Sequence, residues 1–283
     1  MTSVSTPRRP AARRRAGSAS TPPAARRRSP RVFRRQVVLP VLTLTIFLAV
    51  WEIVAGVGLG GFVQYISSPS GSASAFWTMI ENGELWPSVR VSVVAFTIGF
   101  VISVAIGIPL GLAMGWNRTL RELLEPPLMA AYVMPRLALL PVVVVWLGIG
   151  IKSTIVIVVV DAVFPVIINS MAGIRNADKR LVQVALSFGA RRLDLFRKVL
   201  FPASIPAILT GIRLAVARGI LGVIVAQLYV STVGVGHLIS VYGQQYQTDY
   251  IVVLVLLVGI FGYAVNIALQ RLERRFDTWR GAA

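Results

Sequence analysis

Long apolar runs dominate the chain, at a length set by a bilayer rather than by a globular core. Six stretches, about 37–59, 89–115, 128–147, 153–173, 207–230 and 250–269, are almost uninterrupted in aliphatic and aromatic residues. Each approaches the roughly 20 residues an α-helix needs to cross a hydrocarbon core. In lipid the backbone must satisfy its own hydrogen bonds, so such runs are read as helices. The predicted fold is all-α, a polytopic membrane protein with six transmembrane helices.

Finer patterns lie inside and between the runs. In the second, Ala95, Gly99, Ser103, Gly107, Gly111 and Gly115 recur every four residues. On a helix they form one groove of small side chains against which another backbone packs closely. The third carries Pro135 and Pro141, which predict a kinked span, needed either for packing or to line a pathway. The segment 60–88 predicts a short helix lying on the outer surface. There Phe76, Met79 and Ile80 share one face, with Trp77 and Trp86 nearby at headgroup level.

The 175–206 segment is the longest polar connection. Apolar residues at 181, 182, 184, 185, 186 and 188 end at Gly189. Leu193, Leu195, Phe196, Val199 and Leu200 follow, interleaved with Arg191, Arg192, Arg197 and Lys198. This predicts two short amphipathic helices around a glycine turn, closed by Pro202 and Pro206. Such an element rests on a membrane surface or docks into a partner. Small residues at the turn (Ala185, Gly189, Ala190) favour docking.

Charge fixes the expected orientation. The 283 residues are 55% hydrophobic and 14% charged, with a net charge of +18. In a soluble chain that balance would point to nucleic acid; here position matters more. With the N-terminus in the cytoplasm, 24 of the 29 Lys and Arg fall on cytoplasmic segments, and the outer segments hold only Lys152. This follows the positive-inside rule, with both termini cytoplasmic. Residues 1–36, rich in Arg, Pro, Ala and Ser, are expected to be a disordered cytoplasmic tail attracted to anionic lipid, preceding a transmembrane domain at 37–283. The apolar run after the tail is too long for a cleaved signal peptide. The absence of cysteine excludes disulfides and thiolate metal sites.

The spacing within 175–206 carries a resemblance. Gln183, Val184 and Ala185 stand where a Glu-Ala-Ala triplet opens a known signature; Gly189 falls on its glycine, and Val199, Phe201 and Pro202 on its closing positions. Every spacing matches, while Gln183 and Val184 depart in identity. Together with "SPS", "SVRVSVVAFTIGFVISVAIGIPLGLAMG", "PRLALLPVVVVWLGIGIKS", "FPASIPAILTGIRLAVARG" and "TVGVGHLI", the chain resembles, over about 65–275, permease subunits of bacterial ATP-binding-cassette importers of the nitrate, sulfonate and taurine type.

The resemblance implies a type I importer transmembrane domain in the bacterial inner membrane, with 175–206 as coupling helices seated in an ATPase cleft. It implies two separate ATPase subunits that bind ATP and magnesium, so that this chain needs no cofactor. It also implies a second permease, identical or homologous, and a periplasmic or lipid-anchored binding protein that delivers a small organic anion or a vitamin precursor. Gly189 would make the turn, with Ala185 and Ala190 at close contact near Gln183. Leu193 and Phe196 would be an apolar plug, Arg191 and Arg192 rim contacts, and Pro202 the closing residue. The plainer reading of these arginines is ordinary interfacial charge.

Ionisable residues within spans should pair or face a cavity. Asp161 lies in the middle of the fourth span, Arg213 and Arg218 in the fifth, and Arg136 in the third. An Asp161–Arg218 pair is one reading; Arg218 facing the pathway to attract an anion is the other. Gln227 stands where the resembling branch has Glu, and Tyr229 lies a few residues on. With Pro135 these are the candidate pathway residues. The stretch "GIGIKST" lacks the glycine spacing of a phosphate loop, and His237 alone makes no metal site. No nucleophile and base come together, so no enzymatic activity is expected. The rival readings are an ion-gradient-driven transporter, for which Asp161 is the single coupling candidate, and a non-transporting membrane anchor.

Overall fold

The structure, a computed structural model, describes residues 30–57 and 66–276. The tail expected over 1–36 therefore lies outside the described residues as far as position 29. The chain divides into two units, Met1–Ala49 and Val50–Ala283. Helix α1 (Pro30–Val57) begins in the first, earlier than the expected position 37. The second holds α2 (Pro69–Glu81), α3 (Leu85–Trp116), α4 (Arg118–Val133), α5 (Leu140–Leu147), α6 (Ile151–Arg175), α7 (Lys179–Ser187), α8 (Arg192–Leu195), α9 (Phe201–Val230), α10 (Val235–Gln244) and α11 (Thr248–Phe276).

Among the described residues, five helices are long and apolar enough to cross a membrane: Val38–Val57, Leu85–Trp116, Ile151–Arg175, Arg192–Val230 and Thr248–Arg271. The predicted third span, 128–147, is not one kinked helix. Met134 is extended (ψ 133°), as the residue before a proline prefers, and ends α4. A 3-10 turn over Arg136–Leu139 follows, and Pro141 sits in the first turn of α5, where its missing N–H costs nothing. Two prolines thus divide what hydropathy joins. Helix α4 instead starts in the polar 116–127 stretch: Asn117 caps it by accepting from Leu120 N–H at 3.2 Å, and Arg118 bonds Glu122 one turn on at 2.7 Å.

Helices α3, α6 and α9 form the core. The small-residue groove of α3 packs on α6 as predicted. A Cβ on Gly107 would lie 2.8 Å from Val166 Cβ, and one on Gly111 2.5 Å from the Ile167 carbonyl oxygen. Ala95 and Ser103 on the same stripe are fully buried. Helix α9 answers with its own stripe of Ser204, Ile208, Gly211, Ala215, Gly219, Gly222 and Ala226. Its small residues admit α6 closely: a Cβ on Gly211 would sit 2.9 Å from the Pro165 carbonyl oxygen. Because lipid offers no hydrophobic drive for helix association, such close packing is what holds spans together.

At the end of the bundle away from α7, α2 is tied down by polar contacts. Ser68 caps it, its hydroxyl accepting from Gly71 N–H at 2.9 Å, while Ser68 N–H donates to Asp249 of α11 at 3.0 Å. Ser70 donates its hydroxyl to Glu52 at 2.6 Å. The face expected from Phe76, Met79 and Ile80 is rotated. Ser72, Ala75 and Met79 are buried, the last two in a cluster with Tyr242 and Leu254, whereas Trp77 is exposed. Tyr242 donates to Glu84 at 2.7 Å, and burial together with that bond pushes its phenol well above the usual range.

Candidate coupling element and pathway cavity

The 175–206 loop folds into a compact wedge. Asp178 caps α7, its carboxylate accepting from Arg180 N–H at 2.8 Å. Helix α7 ends in a Schellman motif: Ala190 N–H bonds the Ala185 carbonyl at 3.1 Å and Gly189 N–H the Leu186 carbonyl at 2.9 Å. Gly189 adopts φ +75°, a left-handed conformation costly for any residue with a side chain, and open space surrounds its Cα. The glycine of the signature is thus needed for the backbone turn.

The second helix of the wedge departs from expectation. Pro202 and Pro206 do not close it; the chain is helical from Arg192 to Val230. Pro202 has no N–H for the carbonyl four residues back. A π turn over Phe196–Leu200, closed by Phe201 N–H to the Phe196 carbonyl, takes up the mismatch and carries the helix into α9. The loop element and the span are one rod.

The wedge has an inner and an outer face. Leu195 and Leu200 are buried with Leu112, Ile174 and Ile208, and Val182 and Ala185 pack against them. Phe196, expected as part of the plug, lies on the inner face with its ring 5.3 Å from that of Trp116. The outer face holds Leu181, Val184, Leu186, Leu193 at 59% exposure and Phe188 at 88%. Gln183, Arg191, Arg192 and Arg197 are exposed, Ala190 is half-buried, and Lys198 pairs with Asp194 at 3.0 Å. Phe188 escaped the sequence reading of the plug. The available signal was surplus: α7 and its cap carry more apolar residues than one buried face uses.

A cavity of about 370 Å³ lies between the broken 128–147 segment, α6 and α9. Pro135, Asp161 and Arg218 line it together with Tyr132, Met134 and Leu221, so three of the five candidate pathway residues converge. Arg218, Leu221, Val225 and Tyr229 share one face of α9 by spacing. Arg218 is exposed, and Tyr229, at 72% exposure, lies a turn beyond the cavity lining. Asp161 packs against Gly222, where a Cβ would meet its Oδ2 at 2.8 Å. Among the described residues no salt bridge joins Asp161 to Arg218.

Gln227 is elsewhere: fully buried, on the opposite side of α9. Its Oε1 accepts from the Ser92 hydroxyl at 2.7 Å and from Gly236 N–H at 3.1 Å, while the Ser92 oxygen accepts from Val235 N–H at 2.9 Å. In place of lining the cavity, it locks the Gly234–Gly236 turn against α3. Two N–H groups at this turn need acceptors, which a buried amide oxygen and a hydroxyl supply without placing a net charge in the membrane.

Known proteins share this sequence and fold. Residues 107–279 match the family described as binding-protein-dependent transport system inner membrane component. The chain is 36% identical to the aliphatic sulfonates transport permease protein SsuC of Escherichia coli K12, over 83% of this chain and 89% of that protein. It is 29% identical to the taurine transport system permease protein TauC of the same organism (87% and 91%) and 32% identical to the riboflavin transport system permease protein RibX of Chloroflexus aurantiacus (86% and 90%). In fold it is similar to a chain of the inward-facing MetNI methionine ABC transporter, with a TM-score of 0.56 over 71% of this chain and 96% of that one, at 22% identity. The protein belongs to the binding-protein-dependent transport system inner membrane components, as a multi-pass ABC importer permease of the sulfonate and taurine branch.

Proposed function

We propose that this permease pairs with a second one, identical or homologous, to form the pathway for a small organic anion. The solute is a sulfonate, a taurine- or nitrate-like ion, or an anionic vitamin precursor, handed over by an external binding protein. Two separate ATPase subunits, holding ATP and magnesium, drive the cycle from the cytoplasmic side, where the wedge and both termini lie. The observation that carries this reading is the continuous helix from Arg192 to Val230. At about 1.5 Å per residue it runs close to 60 Å in all, and about 40 Å separate Arg192 in the wedge from Arg218 at the cavity. ATPase closure pushes on Phe188, Val184 and Leu193, with Gln183, Arg191 and Arg192 at the rim. A rod does not deform under that push, so displacement at the wedge becomes rocking of α9 at the cavity.

Co-elution with the cognate ATPase tests the coupling half. Wild type is expected to co-elute, and Gly189→Arg, which strains the turn and fills the open space over it, to lose at least about tenfold of the bound ATPase. Equal binding by both proteins would overturn the assignment.

Uptake tests the pathway half. Arg218→Gln is expected to lower uptake of an alkanesulfonate about tenfold or more while leaving ATPase co-elution unchanged, and Arg218→Lys to retain part of it, because a positive charge remains. Unchanged sulfonate uptake in Arg218→Gln would remove Arg218 from the pathway.

A further inference from the structure

A second cavity, of about 440 Å³, lies where α3 meets the wedge, lined by Pro109, Leu112, Ala113, Trp116, Arg192 and Leu193, with Phe196 at its floor. We infer that this groove binds an anionic phospholipid of the cytoplasmic leaflet, with an acyl chain along α3 and the phosphate at Arg192. Depth argues for lipid. Pro109, Leu112 and Ala113 belong to the apolar span that ends at Trp116, and Pro109, seven residues before Trp116, lies about 10 Å deeper along the helix. A soluble ATPase does not reach that level. Trp116 at the mouth is the residue type that settles among headgroups.

Charge argues for an anionic headgroup. Arg192 lines the groove and is exposed, as are Arg191 and Arg197, and the Asp194 carboxylate in the same turn is already held by Lys198 at 3.0 Å. A guanidinium beside an apolar groove at the headgroup level matches a phosphodiester above acyl chains, and such basic pockets on the cytoplasmic side select acidic lipids. The chain's own N-terminal tail is a poor occupant, since residues 1–36 contain many arginines and no acid. A lipid seated here would brace the inner face of the wedge through Phe196, which gives the membrane's anionic content a direct hold on the coupling rod.

Native mass spectrometry of the detergent-purified permease, incubated with equimolar phosphatidylglycerol and phosphatidylethanolamine, tests this directly. Wild type is expected to retain phosphatidylglycerol about fivefold over phosphatidylethanolamine. Arg192→Gln should bring the two lipids close to equal. Ala113→Trp, which fills the groove, should remove retention of both. Arg192 is exposed, so the first variant is expected to fold even if the second does not. No preference in wild type, or an unchanged preference in Arg192→Gln, would overturn the proposal. So would a photo-crosslinker at Ala113 that captures a second copy of the chain or the ATPase instead of lipid. The result is independent of the solute carried and of the co-elution outcome for Gly189→Arg.

Discussion

Gly111→Leu is expected to cut the yield of folded protein at least about tenfold, read as the monodisperse peak of a fluorescent fusion in mild detergent. At Gly111 a Cβ would lie 2.5 Å from the Ile167 carbonyl oxygen and 2.7 Å from Ser170 Cβ. Neither atom is the end of a flexible side chain, so α3 and α6 must separate. Overpacking costs about 1–3 kcal/mol where side chains can adjust. Here the separation also loosens the contacts at Gly107 and Gly115, and about 1.4 kcal/mol already corresponds to a tenfold change in a folding equilibrium. Gly259→Leu on α11, where nothing lies within 4 Å of an added Cβ, is the control and should stay within about twofold of wild type. A normal yield for Gly111→Leu would mean that α3 and α6 do not pack along this stripe.

Phe188→Asp is expected to leave the permease folded and monodisperse while reducing its association with the cognate ATPase about thirtyfold or more and abolishing uptake. The side chain is 88% exposed, so its removal takes almost nothing from the chain's own core. An aromatic anchor in an interface typically contributes about 2 kcal/mol or more, and a carboxylate in its place adds a desolvation penalty. Phe196→Asp should behave differently: with its ring against Trp116, it is expected to lose the folded peak itself. The pair of variants separates a contact residue from a packing residue. If Phe188→Asp binds the ATPase normally, the wedge face presented to the motor has been misplaced.

The glycine-capped turn of the 175–206 loop was legible because its signature records backbone necessity. Gly189 needs φ +75°, and the residues at Ala185, Leu186 and Ala190 close a Schellman cap around it. Such a constraint survives the change at Gln183 because the backbone makes the turn. The end of the wedge was read less well. Pro202 signals a helix stop by local rule, but the π turn at Phe196–Leu200 lets the helix run on. The same rule applied to Pro135 was too weak: it predicts a kink, and the chain breaks there into two helices. The effect of a proline in a membrane helix depends on what neighbouring elements do with the freed backbone groups.

Polar residues in the spans divide along the same line. Asp161, Arg218 and Pro135 meet at one cavity, yet Gln227 turns inward to hold the Gly234–Gly236 turn. Gln227 follows Arg218 by nine residues, which places it across α9, but which face meets α3 and which meets open space is decided by the glycine contacts of three helices together. By itself the sequence determined that this chain lives in a membrane, how its charges lie relative to the spans, and which loop carries the glycine-capped wedge. These follow from the length of apolar runs, the position of Lys and Arg, and one left-handed residue, all local properties. Only the tertiary structure decided that wedge and span form a single rod, that Phe188 rather than Phe196 faces outward, and that Gln227 is a lock. Each depends on which neighbour occupies a given helix face, and burial of a side chain is a property of the packed assembly rather than of the residue.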